Sequence, residues 1–133
     1  MKRRLFLFLA AGLFFFTGFD AQAQDQDHKL MAVKFHADWC KSCKAMGPAF
    51  ENLETAMDGE PVHFVKLDFT NKKTKVGAEQ TIEELGLSKV VRKYAGTGFI
   101  LLVAHDTKDV KEILNKSHSE AEMTGIVKKL LRE

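Results

Sequence analysis

The sequence predicts a single α/β domain, and three observations carry that reading. Strand-like segments at 30–37, 62–69 and 99–104 alternate with stretches whose apolar residues recur at helical spacing. Taken in order, these segments read β-α-β, then helix, then β-β-α. The only two cysteines, Cys40 and Cys43, stand three positions apart at the first strand-to-helix junction.

The elements follow in turn. Leu30 to Ala37 reads as a strand, with Val33, Phe35 and Ala37 on one face. A helix begins at or near Cys40, because Cys43, Met46, Phe50, Leu53 and Met57 recur at helical spacing. Gly47-Pro48 lies inside it and predicts a kink, not an end. Asp58-Gly59-Glu60-Pro61 is a turn into a strand from Val62 to Phe69. A polar loop, Thr70 to Lys75, precedes two short helical patterns. One runs from about Val76 to Leu85 and stops at Gly86; the second, with the clearer pattern, carries Leu87, Val90, Val91 and Tyr94. After Ala95-Gly96-Thr97-Gly98, the unbroken apolar run Phe99 to Ala104 predicts a central strand covered on both faces. A turn at Asp106 to Asp109 leads to an edge strand, Val110 to Leu114. Ser119 and Glu122 can form a capping box opening the last helix, whose buried stripe is Met123, Ile126, Val127, Leu130 and Leu131.

The N-terminus sets the compartment. Met1-Lys2-Arg3-Arg4, the apolar run Leu5 to Phe19 and Ala21-Gln22-Ala23 together match a cleavable secretory signal over residues 1–23, leaving a domain of 24–133. The alternative is an uncleaved anchor, but the run is shorter than the ~20 residues a spanning helix needs. Either way the domain is expected outside the cytoplasm, in a bacterial periplasm, with no stable membrane insertion once the signal is removed. Lys2, Arg3, Arg4 and Asp20 leave with the signal, so 17 basic and 17 acidic residues remain. That balance gives no reason to expect a nucleic-acid surface.

A bridge between Cys40 and Cys43 would close a tiny loop and constrain the unfolded chain very little. Two thiols at a strand-to-helix junction suit reversible dithiol/disulfide chemistry better than a structural role.

The string Phe35-His36-Ala37-Asp38-Trp39-Cys40-Lys41-Ser42-Cys43-Lys44, with Pro48 five residues beyond the second cysteine, resembles the thioredoxin-like family. The resemblance covers Leu30 to Glu133. It implies a thioredoxin fold, a central mixed sheet flanked by helices, here with an extra helix before the third strand. It also implies a protein disulfide oxidoreductase, with Cys40 as nucleophile and Cys43 as resolving thiol. Physics supports those roles: a cysteine at a helix start meets unpaired N–H groups and the positive end of the helix dipole, which favour its thiolate. The expected partners are proteins carrying thiols or disulfides and, in the reducing direction, a membrane thiol electron donor. No organic cofactor is needed, because the sulfur pair carries both electrons.

Four departures from the family pattern qualify this. Lys41 and Ser42 replace the usual Gly-Pro; Lys41 either favours the Cys40 thiolate, making the pair more oxidising than thioredoxin, or points into water. Lys34 stands where relatives often bury an acid; it either neutralises by desolvation, pairs with an acid such as Asp68 or snorkels to solvent, the last two being preferred, and it is not assigned a catalytic role. The loop facing the sulfurs has no proline; Thr97 or Gly98 takes that place, and its glycines predict an open loop with accessible sulfurs. The long link from Asp68 to Gly96 either borders the active site or is a neutral surface elaboration, the reading preferred here.

A non-enzymatic module that captures Cu(I) or a protein partner through the same cysteines is the alternative. Soft thiolates suit Cu(I), with His36 or Met46 as a third ligand, although both residue types more often simply pack. Structural zinc needs four ligands and finds only two cysteines, so no metal site is assigned. His63, His105 and His118 lack ligand spacing and read as surface residues.

Overall fold

The structure, a computed structural model, describes residues 27–133; the signal segment lies outside them. The elements are β1 (Leu30–His36), α1 (Lys41–Ala56), β2 (Val62–Asp68), α2 (Lys72–Glu84), α3 (Ser88–Val91), β3 (Phe99–Ala104), β4 (Val110–Asn115) and α4 (Glu120–Arg132). The sheet order is β2-β1-β3-β4, with β1 parallel to β2 and antiparallel to β3, and β3 antiparallel to β4. This is a mixed sheet between two helical layers. Among the described residues no helix is long and apolar enough to cross a membrane.

Alternation along β1 and β3 divides the core. Leu30, Ala32, Ile100 and Leu102 pack with Phe50 and Leu53 of α1 and Met123 and Val127 of α4. Met31, Val33, Phe35, Leu101 and Val103 pack with Ala78 and Ile82 of α2 and Val90 of α3. Each such large apolar side chain, once buried, contributes roughly 1.5–3 kcal/mol. β3 is the doubly covered strand its apolar run predicts, and β1 beside it is equally buried.

α1 runs through Gly47-Pro48 as one element. The capping box of Ser119 and Glu122 is present: the Ser119 N–H donates to Glu122 Oε2 at 2.7 Å and the Glu122 N–H to Ser119 Oγ at 3.2 Å.

Two expectations for the link need correction. Asn71 opens α2 four residues earlier than the apolar pattern suggests. Its Oδ1 accepts from the N–H groups of Lys73 and Thr74, while Thr74 Oγ1 accepts from the Asn71 N–H, so capping chemistry starts the helix before any residue is buried. α2 closes in a Schellman turn at Gly86 (φ 68°), with the Leu87 N–H on the Ile82 carbonyl and the Gly86 N–H on that of Glu83. The second pattern, clearer in sequence, yields only the single turn of α3, because Leu87, Val90, Val91 and Tyr94 serve an irregular return toward β3.

Candidate functional site

β1 ends at His36, and the chain turns so that the Cys40 N–H donates to the Ala37 carbonyl at 3.1 Å. Cys40 is thereby the N-cap of α1, with extended backbone (φ −86°, ψ 116°). Its Sγ fills the place a capping oxygen usually holds, accepting from the Cys43 N–H at 3.2 Å. Both cysteines are free thiols. Cys40 is 8% exposed and Cys43, one turn further in, 1%.

The two thiols are driven apart. Burial works against the Cys40 thiolate, but hydrogen bonds from the Cys43 thiol, the Thr97 hydroxyl and the N–H groups of Cys43 and Ser42 outweigh it and hold its pKa below the ordinary value. Burial pushes the Cys43 thiol up, and donating to Cys40 raises it further. Cys43 Sγ also lies 3.6 Å from the Phe35 carbonyl as a donor. A thiolate at the helix start backed by a more deeply buried protonated thiol is what attack and resolution require. Lys41 is exposed and is not among the leading influences on Cys40, so it points into water.

Both residues proposed for the facing loop take part. The Thr97 side chain favours the thiolate form of both cysteines. Gly98, at φ 90°, donates its N–H to the Phe35 carbonyl at 2.8 Å. A Cβ on Gly98 would stand 2.7 Å from Ser42 Cβ and 3.3 Å from Cys40 Sγ. Gly98 therefore brings the loop against the sulfurs, and the expectation of an open loop is corrected: close approach, not clearance, is what it allows.

Trp39 is 66% exposed, with its indole N–H on the Thr70 carbonyl at 3.2 Å. The Asp38 N–H donates to Thr70 Oγ1 at 3.0 Å, and Thr70 in turn donates from its N–H and hydroxyl to Asp68 Oδ1. Burial opposes the Asp68 carboxylate, yet these hydrogen bonds keep its pKa low. Asp68 and Thr70 thus hold the cysteine loop from the end of β2, a role sequence reasoning missed because the partners lie some thirty positions away. Beside Trp39 opens a groove of about 280 Å³, lined by Phe69, Lys75, Val91, Tyr94 and Thr97 among others. The link after β2 therefore borders the site, correcting its reading as a neutral elaboration; the irregular return from α3 carries Tyr94 to within 6.5 Å of the Phe99 ring.

Lys34 neither pairs with Asp68 nor snorkels. It is 5% exposed, with Nζ 4.9 Å from the centroid of the Phe50 ring, and burial pushes its pKa down. Asp68 is already held by Thr70, and α1 covers the route to solvent.

The residues suggested as a third soft ligand are engaged elsewhere. His36 Nε2 lies 2.9 Å from Asp38 Oδ1, and Met46 is packed in the core. His63 and His105 instead join His28 at the opposite end of β1, with ring centroids 5.1 and 6.0 Å from that of His28. His63 is kept low by burial and then by its His28 and His105 neighbours, a grouping no spacing in the sequence reveals. Among the described residues no three His, Cys, Asp or Glu side chains are grouped to hold a metal ion.

A thioredoxin family model matches residues 16–97. The thioredoxin of Ictalurus punctatus is 40% identical over 52 residues, covering 39% of this chain and 49% of that protein. A protein disulfide-isomerase of Aspergillus oryzae is 29% identical over 76 residues, covering 57% of this chain and 15% of that protein. The chain spans about half the length of the first and far less of the second. Among solved structures, a thiol:disulfide interchange protein of the thioredoxin family from Chlorobium tepidum TLS superposes with a TM-score of 0.56 at 17% identity, over 80% of this chain and 82% of that one. At that identity the likeness speaks for the fold.

Proposed function

This chain belongs to the thioredoxin family, and from that premise we propose that it is a thiol–disulfide oxidoreductase that exchanges a Cys40–Cys43 disulfide with the thiols of client proteins. The observation that carries the reading is the opposed tuning of the pair: Cys40 lowered at the N-cap of α1, Cys43 raised beneath it. Cys40 attacks a client disulfide sulfur and one client thiol departs. Cys43 then loses its proton and attacks Cys40 Sγ, releasing the second client sulfur and closing the disulfide. Reversal of the same steps oxidises a dithiol client. The apolar groove beside Trp39 is the place for the client segment flanking its cysteine.

The domain works outside the cytoplasm, in a periplasm if the source is bacterial, after removal of residues 1–23; the sequence pattern of that segment supports this. A membrane thiol donor would keep the pair reduced there. The copper-binding alternative gains nothing from His36 or Met46, both engaged away from the sulfurs.

Replacing Cys43 with Ser tests the roles. Cys43→Ser should accumulate mixed disulfides through Cys40, read by non-reducing electrophoresis after exposure to an oxidised client, because attack proceeds and resolution cannot. Accumulation in Cys40→Ser and not in Cys43→Ser reverses the assignment. Equilibration with a glutathione series then gives the direction, as a thioredoxin-like potential marks a reductant and a higher one an oxidant.

A further inference from the structure

The groove beside Trp39 takes much of its lining from the link after β2. Phe69 leads into that link, Lys75 comes from α2, and Val91 and Tyr94 from α3 and the return to β3. An aromatic cluster backs the lining: the Phe35 ring lies 5.8 Å from that of Phe69 and 4.6 Å from that of Phe99. Gly96 and Thr97 line the groove too, and the next residue is Gly98, where an added Cβ would stand 3.3 Å from Cys40 Sγ. The groove therefore adjoins the nucleophile. Its volume of about 280 Å³ lies just under the ~300 Å³ at which small-molecule pockets begin, which suits a client side chain better than an organic cofactor.

Charge sets this groove apart. Lys75 is the one charged residue in its lining, and among the described residues no carboxylate pairs with it. Between Phe69 and Ala104 stand six lysine or arginine residues against three glutamates, within a domain that balances overall. Arg92 and Lys93 among them are exposed, next to Val91 and Tyr94 in the chain. The acids flanking the site are engaged, Asp68 by Thr70 and Asp38 by His36. The two most exposed large apolar side chains of the described residues are Trp39, in the groove wall, and Val76, next to Lys75 in the chain. Apolar surface rimmed by charge marks a place where a partner docks.

We propose that the groove selects clients by the residues around their reactive cysteine: an aromatic side chain beside that cysteine enters the groove, and an acidic residue next to it pairs with Lys75. This rests on the oxidoreductase reading above and adds the client's chemistry to it. Tyr94 and Lys75 are then specificity-determining residues, and the link that carries them fits the domain to acidic clients. An aromatic ring gains most there, because its face and edge meet the rings of Phe35, Phe69 and Tyr94. The ion pair at the exposed Lys75 contributes selectivity more than affinity, and salt screens it.

The test uses the Cys43→Ser protein, in which attack proceeds and resolution cannot, so the preference is read whichever direction the enzyme runs. The probes are short peptides with a central cysteine held in a mixed disulfide with thionitrobenzoate. Phenylalanine or alanine flanks the cysteine on both sides, and glutamate or lysine stands at both ends. Cys40 thiolate forms a bond to the peptide sulfur, and the coloured arylthiolate leaves with the electron pair, the better leaving group of the two. The second-order rate constant should fall about tenfold when phenylalanine becomes alanine. It should fall about threefold when glutamate becomes lysine, a difference that vanishes near roughly 1 M salt. Lys75→Glu should reverse the order of the acidic and basic peptides. Lys129→Glu, the same change of charge on α4 in the opposite helical layer, should keep the original order. Tyr94→Ala should bring the phenylalanine peptides toward the rate of the alanine ones; if it fails to fold, Lys75→Glu at its exposed position decides. Equal rates for all four peptides overturn the proposal, as does a charge preference that Lys75→Glu leaves intact or that Lys129→Glu reverses equally. A protein that attacks none of the peptides strikes the oxidoreductase reading instead, and the client preference falls with it.

Discussion

Two neighbouring parallel strands each deliver the chain into a helix, and the two junctions are capped differently. After β2, Asn71 and Thr74 cap α2 reciprocally, each side chain on the other's N–H. After β1, the cap of α1 is a sulfur. An amide oxygen is a permanent acceptor; a thiol is a weak one that becomes strong only on losing its proton. The junction after β2 therefore stabilises its helix at every ordinary pH, whereas the one after β1 stabilises a thiolate. The two are joined: Thr70, immediately before Asn71, binds both Asp38 and Trp39, so the well-capped junction holds the reactive one in place.

The comparison breaks most easily at Cys40. Cys40→Ser should reduce insulin-type disulfide reduction to the level of the buffer reaction. Its melting temperature should stay unchanged or rise, because serine is among the better N-cap residues. A substantial loss of stability would mean that the sulfur cap is structural after all.

Gly98→Ala sharpens the point that the facing loop is built for close approach. The added Cβ meets Ser42 at 2.7 Å in a backbone conformation unfavourable to alanine. The variant should lose about 2 kcal/mol of stability in denaturant unfolding and exchange more slowly. Wild-type stability there would show that the loop has room to withdraw.

Asn71→Ala should have the smallest effect. It removes one partner of a capping box and should cost about 1 kcal/mol, while leaving the alkylation profile of Cys40 where it was. A shifted Cys40 profile would mean that the two junctions are electrostatically and not only mechanically linked.

What was legible in the sequence was what local pattern encodes. The doubly buried β3, the capping box at Ser119 and the pair Cys40–Cys43 at a helix start each follow from residues within one element. What was not legible depends on distant partners. Gly98 stands against Cys40 from more than fifty positions away, and nothing in Gly96-Thr97-Gly98 distinguishes a loop pressed against a site from one standing clear. Lys34 stands out in the sequence as a lysine where the family often has an acid, but its fate depends on whether Asp68 is free, and Asp68 is taken by Thr70. The early start of α2 was missed because Asn71 announces a helix through hydrogen bonding, while apolar periodicity registers only what is buried.

The most direct measurement is the rate of Cys40 alkylation on the reduced protein as a function of pH. The hydrogen bonds converging on Cys40 Sγ lower its pKa while burial raises that of Cys43. The rate should therefore climb through a midpoint clearly below the ~8.5 of a free thiol, with Cys43 unmodified until higher pH. A midpoint at or above the free-thiol value, or modification of Cys43 first, would contradict the claim that the α1 cap is built around a thiolate.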